Sequence, residues 1–155
     1  YTAIVTVALN DKTGDIYVLD AWRSRITFHE QQEYIKAKYH TTSDNDKVNG
    51  PHLIDIEDIA YQRAIVQELQ RTTNLPIRGV TPSKDKVTRA SRLSAIMENG
   101  KIHFHSSQRD LMDELLLFPE GDHDDMVDAL VMAVDAARNS TVKQQPIYSA
   151  GRMRF

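Results

Sequence analysis

The chain reads as an α/β domain built on a mixed β-sheet. It opens with two alternating, β-branched runs joined by a polar turn, and short apolar runs then alternate with amphipathic helical stretches. At 155 residues it is long enough for one domain with a sizeable core.

Thr2 to Leu9 alternates as a strand, Asn10-Asp11-Lys12-Thr13-Gly14 turns, and Asp15 to Trp22 completes a hairpin. A weakly amphipathic helix follows from His29 to Tyr39, and the polar stretch Thr41 to Gly50 is a loop that Pro51 ends. His52 to Ile56 is a short strand running into a helix from Asp58 to Thr72, with Tyr61, Ile65 and Leu69 spaced along its buried face. Pro76 to Val80 is the next strand. Pro82-Ser83 opens a helix through Glu98, with Val87, Ala90, Leu93 and Met97 on one side, and Asn99-Gly100 closes it. Lys101 to His105 is briefly extended, and Ser107 to Leu117 is a short helix stopped by Pro119. The last helix spans His123 to Arg138. Residues 1–139 thus form the domain and 140–155 a tail, with no internal repeat and no low-complexity tract.

Hydrophobic content of 41% and charge of 26% are ordinary for a globular protein, and no apolar run reaches the length of a membrane span. The first nine residues lack the basic flank and small-residue cleavage site of a secretory signal. Without cysteine there are no disulfides and no thiolate metal sites, which fits a reducing compartment. A net charge of −3 argues against tight sequence-independent DNA binding, which rests on neutralising phosphates. It leaves room for a nuclease, because bound cations invert the field of an acidic site.

Asp124, Asp125 and Asp128 stand at the start of the most apolar run, Met126 to Ala137. Side chains three and four apart share a helix face, so these acids can meet a hard divalent cation. The bland alternative is capping, with Asp122 as N-cap and Asp124 and Asp125 in the favourable first turn; it explains Asp128 poorly. A second acidic run, Asp55-Ile56-Glu57-Asp58, lies where a strand gives way to a helix. Ligand crevices form at such strand ends, although taken alone the run is more simply Glu57 or Asp58 initiating the helix. Lys86, Arg89 and Arg92 recur at steps of three in the one basic patch, suited to phosphate contacts or to a plain solvated face. His103 and His105 are more simply surface imidazoles than a chelating pair. Trp22 is more simply packed under a helix than stacked on nucleic acid beside Arg23 and Arg25. The phosphate-loop and nucleophile-elbow motifs are both missing from the sequence.

In their order and spacing, several segments together resemble the C-terminal nuclease domain of tailed-phage and prophage terminase large subunits. They are Tyr17 to Arg23, Ile56-Glu57, Asp85-Lys86-Val87-Thr88-Arg89-Ala90, Glu98 to Ile102, Glu114-Leu115 with Phe118-Pro119, and His123-Asp124-Asp125-Met126-Val127-Asp128-Ala129. The resemblance covers nearly all of residues 1 to 139. It implies an RNase H-like mixed sheet flanked by helices, and a metal-dependent endonuclease that cuts concatemeric double-stranded DNA during viral packaging. It places metal-holding, catalytic acids at Glu57, Asp124, Asp125 and Asp128, and nucleic-acid contacts at Lys86, Arg89 and Arg92. Two Mg²⁺ or Mn²⁺ ions would clamp the attacking water and the leaving oxygen. Implied partners are double-stranded DNA, an upstream terminase ATPase domain, the portal and the small terminase subunit. The setting is the host cytoplasm of a phage or prophage product, with no membrane role.

The family pattern also has an acid on a first, central strand, and by position no residue here fills it. The expectation is a chain beginning after that strand, with Asp20 a poor substitute ligand. The alternatives are a non-catalytic docking module of the packaging motor and another RNase H-like nuclease of the resolvase or integrase type.

Overall fold

The opening hairpin forms because its turn satisfies itself. In the computed structural model, which describes residues 1–43, 50–81 and 85–143, the Asn10 carboxamide oxygen accepts from the Lys12 and Thr13 amides at 3.0 and 3.3 Å. Gly14 takes a φ of 75° that a side chain would resist. Strands β1 (Thr2–Leu9) and β2 (Ile16–Ser24) pair antiparallel. The register slips between Thr6 and Val7, which leaves Leu19 as the extra residue of a bulge. Ile16 and Val18 are buried on one face while Tyr17 and Leu19 point to solvent. Strand β5 (Ile102–His103) pairs parallel with β2 on its other side, giving the order β1-β2-β5.

Helix α1 (Phe28–Ser43) starts at a reciprocal capping box. The Thr27 amide and hydroxyl each donate to the Glu30 carboxylate at 2.7 Å. Strands β3 (Ile54–Glu57) and β4 (Ile77–Val80) pair parallel through helix α2 (Ala60–Thr72), with Asp55 opposite Arg78 and Glu57 opposite Val80. Helix α3 (Lys86–Glu98) is capped by Asp85, whose carboxylate accepts from the Thr88 amide and hydroxyl. Helices α4 (Arg109–Leu117) and α5 (Asp125–Lys143) complete the order.

The mixed α/β class holds, and the single sheet expected from the sequence is divided into two. Among the described residues β1 and β3 each pair on one side only, so Thr2–Leu9 is an edge strand there rather than the centre of a complete sheet. Helix α5 packs on β1, β2 and β3, and so spans both sheets. The described residues form two cores to match. Ile16, Val18, Leu93, Ile102, Leu111, Met126, Leu130, Val131 and Val134 form the larger. Ile65, Val66, Leu69 and Ile77 form the smaller, under α2. Every residue of β1 is only half-buried despite its β-branched composition, as suits a strand with an open edge.

Some expectations need correction. Tyr61 is 52% exposed and packs edge-on against Phe28, while Val66 takes the buried place beside Ile65 and Leu69. Val87, expected on the apolar side of α3, is also solvent-exposed. The loop predicted from Thr41 begins later, since α1 runs to Ser43, and 44–49 lie outside the described residues. So do Pro82-Ser83, predicted to open α3, and 144–155 of the predicted tail; α5 itself continues to Lys143.

Candidate active site

At the end of β3 four positions carry three acids, and two of the acids are already engaged. Asp55, its side chain 7% exposed, accepts from Arg78 Nε and Nη2 at 2.8 and 2.6 Å. That hydrogen bonding raises the Arg78 pKa further above its usual value. Asp58 accepts from Arg63 Nε at 2.9 Å, which raises Arg63 in the same way. Neither Asp58 nor Glu57 caps α2, whose N-cap is Ile59 with no side-chain bond. The helix-initiation explanation of this acidic run therefore fails. Glu57 remains half-buried, and its carboxylate makes no hydrogen bond or ion pair among the described residues.

The start of α5 has the reverse chemistry, with backbone donors in excess. The Met126 and Val127 amides donate to Glu114 Oε1 at 2.7 and 3.1 Å. The other oxygen of Glu114 accepts from Arg23 Nη1 at 2.6 Å. A carboxylate from α4 thus does the capping that the sequence reading gave to Asp122 and its neighbours. Asp122 is exposed and stands outside the helix, and Asp124 contributes its carbonyl to the Asp128 amide at 2.8 Å. Asp124, Asp125 and Asp128 are all half-buried. The Asp125 carboxylate, like that of Glu57, makes no hydrogen bond or ion pair among the described residues. Among those residues these two are the only half-buried carboxylates so placed.

Next to this helix start, the Tyr1 ring meets the His123 ring edge-on at 4.9 Å. Arg23 and Arg25 both stack on Tyr1, at 5.0 and 4.5 Å. Arg25 is exposed and has no carboxylate partner among the described residues.

Other candidates resolve toward their plainer readings. Trp22 stacks on Tyr34 of α1 at 3.9 Å. His103 stacks on Tyr17 and lies 3.4 Å from Asp15, while His105 bonds Ser107, so the pair does not chelate. Asp20 pairs with Lys38 at 2.7 Å. Arg92 reaches Asp135 on α5 at 3.4 Å, ten residues beyond Asp125. Lys86 and Arg89 lie on α3, with side chains outside what the structure describes.

The donor set suits Mg²⁺ or Mn²⁺ in kind: hard, half-buried carboxylate oxygens on elements that pack together. Among the described residues no group of three or more acid or histidine side chains closes around a common point. The sequence reading named the acids but missed Glu114 and Arg23 as their support. The available signal was an acid at 114 on the same helical face as Leu111 and Leu115, in a helix otherwise amphipathic.

A protein-family model of the terminase RNaseH-like domain matches residues 1–137. The chain belongs to that family. No curated protein and no solved structure matches it. The terminase domain thus has the RNase H-like fold its sequence implied, and membership supports a nuclease-family role in DNA packaging, with DNA and a packaging motor as partners in general. No helix among its described residues is long and apolar enough to cross a membrane.

Proposed function

We propose that this terminase domain is a Mg²⁺- or Mn²⁺-dependent endonuclease that hydrolyses concatemeric double-stranded DNA during genome packaging, acting in the host cytoplasm as a phage or prophage product. One observation carries the reading. Glu57 and Asp125 are the two half-buried carboxylates with no partner among the described residues, and they lie on β3 and α5, which pack against each other. Burying an unpaired carboxylate is costly, and a cation removes that cost.

On this reading Glu57 and Asp125 hold two metal ions, with Asp124 and Asp128 beside them. The bound metal supplies Lewis-acid stabilisation of the charge that builds on the phosphate oxygens. Lys86, Arg89 and Arg92 offset backbone charge along the DNA, and Arg25, exposed on the Tyr1 ring, is a further cation for a phosphate. The upstream ATPase domain, portal and small terminase subunit are the partners of the whole assembly.

A second reading, a non-catalytic docking module of the packaging motor, draws on the lack of a three-acid group among the described residues. Calorimetric titration with Mn²⁺ separates the two. Binding that disappears in Asp125→Ala supports the nuclease; a folded protein that binds no Mn²⁺ favours the docking module.

A further inference from the structure

We propose that Glu114 is the positioning residue of this site, a buried clamp that sets where the acidic end of α5 stands against the sheet. Its consequence for metal binding rests on the nuclease reading above. The residue is 5% exposed, and both of its oxygens are committed, one to two backbone amides and the other to a guanidinium. Every one of these bonds is charge-assisted, the strong class. With its oxygens so occupied, Glu114 does not serve as a metal ligand itself.

The connection runs from the sheet to the acids through side chains that are buried or half-buried. Arg23 sits in the β1–β2 ladder opposite Ala3. Its guanidinium holds Glu114, whose helix is anchored by Leu111 at 1% exposure. Glu114 in turn holds the Met126 and Val127 amides, the two residues directly after Asp125. The first amides of a helix have no partner within it, so an outside acceptor fixes both the position and the rotation of the helix end. A slip of one residue would turn Asp125 by about 100° and move it about 1.5 Å along the axis. Groups that orient metal ligands typically contribute about 10- to 100-fold in metal affinity.

The test compares the parent protein with Glu114→Gln, Glu114→Ala and Leu111→Ala. Leu111→Ala is the control for plain loss of core packing on the same helix. Amide hydrogen exchange at Met126 and Val127 and Mn²⁺ affinity by calorimetry are the readouts. The clamp predicts faster exchange at those two amides in both Glu114 variants, with Leu130 and Val134 still protected. It predicts Mn²⁺ binding about tenfold weaker in Glu114→Gln, and near-parental Mn²⁺ binding in Leu111→Ala. If Glu114→Ala fails to fold, Glu114→Gln carries the test alone. Unchanged exchange at Met126 and Val127, or equal weakening of Mn²⁺ binding by Leu111→Ala, overturns the proposal. A parent protein that binds no Mn²⁺ overturns the nuclease reading instead, and the exchange measurement still decides the clamp.

Discussion

The two acidic ends of this molecule solve opposite problems. At β3 the acids are in excess, and arginines answer them: Arg78 for Asp55 and Arg63 for Asp58. At α5 the unpaired backbone amides are in excess, and a carboxylate from another helix answers them. Among the described residues, each solution leaves one half-buried acid without a partner, Glu57 at the first and Asp125 at the second. A cluster of acids is therefore not a site by virtue of its charge. What marks a candidate ligand is the carboxylate that remains after local structure has used the others.

That contrast breaks most sharply in activity. Asp125→Ala and Glu57→Ala should each take metal-dependent DNA nicking to background while far-UV circular dichroism stays at the parental level. Asp55→Ala should retain nicking, because its carboxylate serves Arg78. Equal loss from Asp55→Ala and Glu57→Ala would erase the distinction between used and spare acids.

Stability gives the next largest effect. Glu114→Ala strips the partner from Arg23 and from two buried amides, and should cost about 3 kcal/mol in urea denaturation. At the other end, Asp55→Ala should cost less, about 1 to 2 kcal/mol, because Arg78 is 46% exposed and regains water. Asp58→Ala should cost under about 1 kcal/mol, since Arg63 is 60% exposed and Asp58 itself is partly solvated. A reversed order would mean that the β3 end, and not the α5 end, is the rigid one.

The smallest effect concerns an acid used only locally. The amide and then the hydroxyl of Thr27 hold Glu30 below its ordinary value of 4.5. A folded-state pKa that is depressed adds stability above the unfolded value, and that stability is lost as pH falls through the folded one. The difference in urea midpoint between the parent and Thr27→Val should therefore be present at neutral pH and shrink as pH drops below the usual carboxylate range. A difference that stays constant with pH would assign the effect to Thr27 alone.

Much of the fold was legible in advance because its signals are local. Alternation in Thr2–Leu9, the Asn10 to Gly14 turn and the four-residue steps of Ile65 and Leu69 each arise within one element and survive in the structure. Tyr61 and Val87 were misread for a related reason: spacing finds a face, and only neighbouring elements decide how far along the helix that face is covered. The candidate acids were legible too, as residue types at the start of a helix and the end of a strand.

Local signals along the chain were enough for the α/β class, the order of elements, the lack of thiol chemistry and the choice of Glu57, Asp124, Asp125 and Asp128 as candidate acids. Packing between distant segments settled the division of the sheet into two parts among the described residues, the engagement of Asp55 and Asp58, and the capping of α5 by Glu114. The physical reason is range. Helix and strand propensities act over a few residues, whereas Arg78 meets Asp55 across 23 residues of sequence and Arg23 meets Glu114 across 91. No periodicity in the chain encodes those distances; they exist only once β3 has paired with β4 and β2 has packed with α4.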